Sequence, residues 1–264
     1  MTNQILCGDC LEVLKTFPGN CIDLTVTSPP YDNLRSYNGY VFDFEGIARE
    51  LYRVTKEGGV VVWVVGDATI NGSETGTSFK QALYFKDVCG FRLHDTMIYQ
   101  KSNPVPLTHN RYEQQFEFMF VLSKSRPKTF NGIYDTAKEA GKIKCHPNIN
   151  SSGVIRTGQD NIVKSQRLRY NIWSYSVGYM CSAQDKNSFQ HPAIFPESLA
   201  QDHILSWSNE GDLVLDPMCG SGTTCKMALL NNRNYIGIDI SEEYCELSRR
   251  RIEKAKELKE QKLF

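Results

Sequence analysis

The run Val60-Val61-Val62-Trp63-Val64-Val65 constrains this chain more than any other stretch. It is too short for a buried helix and too continuous for a strand with one face in water. Branching at Cβ favours extended backbone. A strand that is apolar on both faces must be covered on both, as in the centre of a parallel sheet flanked by helices. The rest of the chain therefore has to supply more strands and two layers of helix.

It does so largely in alternation. Gln4 to Cys7 reads as a short strand, followed by a helical pattern in Leu11, Val13 and Leu14. Cys21 to Val26 is a second strand. A helix follows from about Phe44 to Lys56, with Ile47, Leu51 and Val54 on one face and Gly58-Gly59 as its stop. Ser78 is placed as the cap of a helix to about Cys89, ended by Gly90. The strands Arg92 to Lys101 and Phe116 to Leu122 leave no room for a crossover helix, so they are expected to pair antiparallel. Pro196 suits the first turn of a helix to about Trp207. Asp212 to Leu215 and Asn234 to Asp239 are strands, with a helix to about Leu230 between them. Ser241 caps a last helix whose tail, Arg249 to Lys262, reads as solvated. The pattern predicts an α/β fold: a doubly wound, mostly parallel, Rossmann-like sheet with a late antiparallel strand.

Between residues 124 and 187 hydrophobic periodicity fades, over a length too great for a plain connection. The expected organisation is one α/β domain in two parts, 1–123 and 188–264, with 124–187 inserted between them. Within the insert Lys142, Lys144, Arg156, Lys164, Arg167 and Arg169 face only Asp160 in the stretch they span, although the whole chain is neutral. A local basic excess of this kind favours phosphate binding over the alternative of a solvated basic loop.

At 264 residues the chain can bury a full core, and 41% hydrophobic with 23% charged residues argues against disorder for most of it. The longest apolar candidate, Gly59 to Gly66, is strand-sized, so no membrane partner is expected. Met1-Thr2-Asn3-Gln4 lacks the basic start and apolar run of a signal peptide, which predicts a cytoplasmic protein. Nine cysteines then read as reduced thiols. Cys7-Gly8-Asp9-Cys10 has half the spacing of a zinc site but no second pair, so no metal is expected.

Two constellations carry chemistry. In Thr27-Ser28-Pro29-Pro30-Tyr31 the prolines end a strand and remove two backbone donors, leaving carbonyls to find partners elsewhere. With a hydroxyl and an aromatic ring, this makes either a pocket for a flat amino-bearing ring or a plain Pro-Pro turn with a packing tyrosine. The second is Asp216-Pro217-Met218-Cys219-Gly220-Ser221-Gly222-Thr223, a Gly-rich turn between a strand and a helix. It brings backbone amides and a helix N-terminus to one point. Asp239 ends the next strand, in the place of an acid that grips ribose hydroxyls. Thr223 and Thr224 stand around the position of a third fingerprint glycine, and no P-loop lysine follows. An adenosine-type cofactor with an amino acid at its other end fits better, with Asp216 towards its ammonium and the helix N-terminus towards its carboxylate.

Ser28-Pro29-Pro30-Tyr31 together with the loop from Asp216 to Thr223 resembles the S-adenosylmethionine-dependent DNA amino-methyltransferases, over nearly the whole chain. The order, acceptor tetrapeptide first and cofactor loop last with a basic segment between, is similar to their β class. The resemblance implies S-adenosyl-L-methionine as cofactor, bound by Asp9 near adenine, Phe195 beside the methionine, Asp239 at the ribose, and Asp216, Pro217, Met218, Cys219, Gly220, Ser221, Gly222 and Thr223. It implies Ser28, Pro29, Pro30 and Tyr31 as the catalytic pocket. It also implies duplex DNA as partner, met by the target-recognition insert through Arg156, Lys164, Arg167 and Arg169, with Asn33 and Arg35 at the gap left by a flipped base. A homodimer and a cognate restriction endonuclease acting on the same site are compatible with it. Met218-Cys219 departs from the commoner Phe-x of that loop. Ser28, where adenine-modifying members usually carry Asp, points to cytosine N4 as acceptor, with adenine N6 as the alternative. An RNA or protein-amide methyltransferase, or a non-catalytic nucleic-acid-binding module, is a more distant reading.

Overall fold

The computed structural model describes residues 2–30, 42–103, 112–145, 148–149, 155–156, 160–178, 181–183, 185 and 196–261. They divide into two compact units, residues 1–131 with 171–264, and residues 132–170.

The larger unit is built on an eight-stranded sheet. Its first half carries β1 (Gln4–Cys7), α1 (Cys10–Lys15), β2 (Ile22–Thr27), α2 (Phe44–Val54) and β3 (Thr55–Val65). A small hairpin of β4 (Thr69–Ile70) and β5 (Ser73–Glu74) leads to α3 (Thr77–Tyr84), which continues as a π-turn over Phe85–Cys89 before β6 (Arg92–Lys101) and β7 (Phe116–Ser123). The smaller unit holds β8 (Tyr134–Thr136), β9 (Ile143–Cys145), β10 (Asn148–Ile149), β11 (Ile155–Arg156), β12 (Asp160–Ile162) and β13 (Gln166–Leu168). The chain returns to the larger unit with β14 (Ile172–Tyr175), α4 (Glu197–Trp207), β15 (Leu213–Asp216), α5 (Thr223–Leu230), β16 (Asn234–Asp239) and α6 (Glu242–Gln261).

The sheet order is β1-β16-β15-β2-β3-β7-β6-β14. β7 pairs antiparallel with both its neighbours, and the other pairs are parallel. The doubly wound sheet and its late antiparallel strand are as expected. β3 lies in the middle, with Val60 to Val65 all 1% exposed or less. Successive side chains point to opposite faces. Val61, Trp63 and Val65 pack with Leu14 of α1, Ile47 and Leu51 of α2, and Phe85. The Trp63 indole N–H donates to Gln81 Oε1 of α3 at 2.8 Å, so the one polar atom in this run is satisfied. Against the other face lie α4, α5 and α6, packed in that order.

Several boundaries differ from the sequence reading. α2 ends at Val54, and Thr55 already begins β3, so Gly58 and Gly59 fall inside an irregular start of that strand. Ser78 is inside α3 and does not cap it; Asp67 instead accepts from the Ser78 amide at 2.8 Å and from its hydroxyl at 2.5 Å. Pro196 is the N-cap of α4. α6 is not solvated throughout, because Arg251 and Ile252 are buried.

The stretch read as an insert over 124–187 contains a narrower compact unit, residues 132–170, while β14 joins the main sheet beside β6. The smaller unit is one nested antiparallel ladder. β8 pairs with β13, β9 with β12 and β10 with β11, with Ala137 N to Ser165 O and Gly141 N to Val163 O between the pairs. Its described strands are short and largely exposed, so no two-residue apolar rhythm betrays them in the sequence. None of the described helices is long and apolar enough to cross a membrane.

Candidate active site

β1, β16, β15 and β2 are consecutive parallel strands that end along one edge of the sheet. Cys7 pairs with Asp239, Asp216 with Gly237, and Leu215 with Thr25. The expected Asp9, Asp239, Asp216 and Ser28 therefore follow or end neighbouring strands. From β15 the chain proceeds towards β16, and from β2 towards β3, so the connections diverge at this pair. The crevice outside the carboxyl ends of such strands is where open α/β sheets bind ligands.

Asp216 is buried at 5% exposure. Its Oδ1 accepts from the Thr27 hydroxyl at 2.8 Å and from the Met218 amide at 3.2 Å. Burial raises its pKa to about 6, even though the Thr27 and Met218 hydrogen bonds pull it down. An acid held so close to neutrality favours a cationic partner. Ser28 and Pro30 are half-buried and Pro29 is buried.

Behind Asp216 the Gly-rich loop is fastened on several sides. The Gly220 amide donates to Asp239 Oδ2 at 2.9 Å, and the Cys219 amide to the Ile238 carbonyl at 2.8 Å. Asp239 Oδ1 accepts from the Ser241 amide at 2.9 Å, so this acid organises the loop as well as ending β16. Gly222 lies in the left-handed region at φ 76°, and a Cβ there would stand 2.8 Å from Ser248 Cβ. The Thr224 hydroxyl donates to the Val26 carbonyl at 3.1 Å, tying the start of α5 to β2. Burial pushes the Cys219 and Cys225 thiols well up, so both are inert packing groups.

Asp9 caps α1, accepting from the Leu11 amide at 2.8 Å. It also borders an open hollow lined by Leu6, Cys7, Gly8, Val13 and Phe17. Asp9 is thus a helix cap at the rim of that hollow.

The structure adds residues that sequence reasoning missed. Thr27 is one. Another is a charge cluster behind the loop, with Arg251 and Lys226 buried and Asp185 and Glu197 half-buried. Arg251 reaches Asp185 (Nε to Oδ1, 3.0 Å) and Glu197 (Nη2 to Oε1, 3.0 Å), while Lys226 reaches the same two acids at 2.8 and 2.6 Å. Burial alone would raise Asp185, but hydrogen bonds from Arg251 and Lys226 outweigh it and hold the carboxyl well below its ordinary range. Breaking such a buried pair typically costs about 3–5 kcal/mol. No local sequence signal marks these four, which come from four separated places in the chain.

In the smaller unit Lys164 and Arg167 are exposed. Arg167 lies over the Tyr170 ring at 4.4 Å and donates to its hydroxyl at 3.0 Å. Arg169 is paired with Asp135 at 3.1 Å. Tyr31, Asn33, Arg35 and Phe195 lie outside the described residues, as does the Arg156 side chain.

Residues 22–250 match the DNA methylase family of N6 and N4 methyltransferases. Over 244 residues the chain is 59% identical to the orphan methyltransferase M.BamHII of Bacillus amyloliquefaciens, covering 90% of this chain and 92% of that protein. It is 29% identical to the type II methyltransferase M.HpaI of Haemophilus parainfluenzae, covering 96% and 75%. Among solved structures, the cytosine-N4-specific PvuII DNA methyltransferase superposes with a TM-score of 0.70 at 21% identity, over 98% of this chain and 92% of that one. The M1.HpyAVI complex with S-adenosylmethionine gives 0.64 at 23%, over 94% and 98%. With Ser28-Pro29-Pro30-Tyr31 early and its Gly-rich loop late, the chain belongs to the DNA methylase family, as an amino-methyltransferase of the β class.

Proposed function

We propose that the chain transfers a methyl group from S-adenosyl-L-methionine to the exocyclic N4 of a cytosine flipped out of duplex DNA. The observation that carries the base assignment is Ser28, a half-buried hydroxyl that directly follows the Thr27 side chain gripping Asp216. Methyl transfer needs an acceptor pocket and a donor pocket side by side, and adjacent parallel strands lie about 4.8 Å apart.

The residues present suit the cofactor. Asp239 stands where a carboxylate can accept from ribose hydroxyls. Asp216, buried and poised near neutrality, suits an ammonium, and the start of α5 suits a carboxylate. Asp9 and its hollow suit adenine, with Phe195 beside the methionine. Bound there, the cofactor supplies a methyl group on a sulfonium centre.

The exocyclic amine of cytosine is a weak nucleophile because its lone pair is delocalised into the ring. Ser28 and the Pro29 carbonyl accept from it, hold it in line, and stabilise positive charge as it develops on nitrogen. Tyr31 stacks on the base and holds it at attack distance. A base within a duplex cannot reach such a pocket, so it must flip, at a cost of a few kcal/mol of unstacking. Asn33 and Arg35 are assigned to the vacated position.

The nested ladder of residues 132–170 suits DNA, because a two-stranded ribbon fits the major groove. Lys164 and Arg167, with Arg156, are the basic groups assigned to contact it. Arg169, engaged by Asp135, is the weakest member of that set.

Adenine N6 is the second reading. A relative 27% identical over 265 residues is named the DNA adenine methyltransferase YhdJ of Escherichia coli. Expression in a methylation-free host followed by modification-sensitive sequencing separates the two. N4-methylcytosine in a defined motif is expected, N6-methyladenine establishes the alternative, and unmodified DNA overturns both. Ser28→Ala or Tyr31→Ala abolishes transfer while cofactor binding survives, and full activity in either variant overturns the pocket assignment. A cognate endonuclease of the same specificity and a homodimer belong to this proposal. Cleavage assays on the methylated motif and light scattering test them.

A further inference from the structure

Two side chains of α6 reach the Gly-rich loop from behind. Ser248 Oγ donates to the Gly220 carbonyl at 2.7 Å, and Arg251 Nη1 donates to the Ser221 carbonyl. Ser248 is 0% exposed and Arg251 3%. In a trans peptide the N–H points away from the C=O of the same unit. Drawing the Gly220 carbonyl towards α6 therefore turns the Ser221 amide away from α6. Drawing the Ser221 carbonyl the same way turns the Gly222 amide, which closes the turn on the Cys219 carbonyl at 2.7 Å. Positive φ at Gly220 (49°) and Gly222 (76°) permits both peptides to sit this way.

Arg251 is itself fixed. Asp185 and Glu197 hold its guanidinium, and Lys226 of α5 balances those two acids, so two buried cations and two half-buried carboxylates sum to zero around Arg251, which also donates to the Thr223 hydroxyl at 3.4 Å. Packing a glycine turn does not require this; apolar side chains would do so without desolvating two cations and partly desolvating two carboxylates. A planar, always-charged donor in a fixed fork is suited to setting one carbonyl accurately.

We propose that Ser248 and Arg251 are positioning residues for the cofactor's amino-acid end: they aim the Ser221 amide, beside the start of α5, at the ligand carboxylate. This rests on the cofactor reading above. Neither residue touches the ligand; both act through the loop's peptide planes.

The test compares two ligands by calorimetry on the full chain. S-adenosylhomocysteine carries the amino-acid end, and 5′-methylthioadenosine lacks it. Ser248→Ala keeps Cβ and every charge, and is expected to weaken S-adenosylhomocysteine about tenfold, on the scale of one hydrogen bond, with methylthioadenosine affinity within twofold of wild type. Arg251→Lys is expected to show the same selectivity with a larger loss, and in turnover to raise the cofactor KM with kcat largely kept. Equal weakening of both ligands, or no weakening in Ser248→Ala, overturns the proposal. Should the wild-type protein bind neither ligand, the cofactor reading itself fails and takes this proposal with it.

Discussion

The Thr27 hydroxyl donates to Asp216 Oδ1 at 2.8 Å, with both side chains buried, across the seam between β2 and β15. The residue after Thr27 begins the Ser28-Pro29-Pro30 turn, and the residue after Asp216 begins the Gly-rich loop. One hydrogen bond thus registers the acceptor side of the proposed site against the donor side.

Asp216→Asn is expected to stabilise the ligand-free protein at neutral pH and weaken cofactor binding. Asparagine still offers an oxygen to Thr27 and Met218, but buries no charge. Asp216 rises from 3.8 unfolded to about 6 folded. Its contribution to stability is therefore full below pH 4 and lost as pH rises through 6. Removing the charge is expected to contribute on the order of 1–3 kcal/mol at pH 7.5, a rise in Tm of several degrees. Thermal unfolding at pH 7.5 and pH 4 checks this, since the gain should vanish at the lower pH. If an ammonium faces Asp216, wild-type affinity for S-adenosylhomocysteine should also fall below pH 6, and the variant's should not.

His203 supplies the opposite pH signature. It is fully buried; among the described residues its Nδ1 has no hydrogen-bond partner, its Nε2 lies 3.2 Å from Met119 Sδ, and its ring is 4.7 Å from that of Trp173. Burial lowers its pKa from 6.5 to about 3, so the stability it contributes is full above pH 6.5 and lost as pH falls towards 3. The slope is at most about 1.4 kcal/mol per pH unit. His203→Met in an Asp216→Asn background, which removes the opposing proton uptake, should flatten the acid limb of the stability curve. An unchanged limb in denaturant titrations would refute this.

Arg167 and Arg169 should separate functionally. Arg169→Ala is expected to loosen the β8–β13 ladder by up to about 1 kcal/mol, as for a partly exposed ion pair, with little change in the salt dependence of DNA binding. Arg167→Ala is expected to reduce the slope of log affinity against log salt by about 1 if it meets a phosphate, or to relax the methylated motif at one position if it meets a base edge. Fluorescence anisotropy over a salt series and motif sequencing read the two outcomes. No change in either would remove Arg167 from the interface.

Gly222→Ala forces a Cβ to within 2.8 Å of Ser248 Cβ, in a left-handed backbone that disfavours it. A loss of about 1–3 kcal/mol in stability is expected, together with weakened cofactor binding, because the loop must move off α6. Denaturation and calorimetry check both.

The sequence by itself determined the sheet's centre, because Val60 to Val65 could be satisfied only between two helical layers. It also determined the two chemical stretches, whose prolines and glycines act on the backbone locally. The family resemblance was legible for the same reason: it resides in contiguous residues. Where a turn depends on a distant acceptor the sequence misled, as at Ser78, which is held by Asp67 and caps nothing. The ladder of residues 132–170 gave no rhythm, since short strands exposed on their described faces are set by pairing and not by burial. Only the tertiary structure joined Thr27 to Asp216, 189 residues apart, and placed Arg251 of a charged helix behind the Gly-rich loop. A side chain's periodicity records which face of its own element it occupies; the partner that decides its ionisation and role comes from another element, and strand order alone selects that.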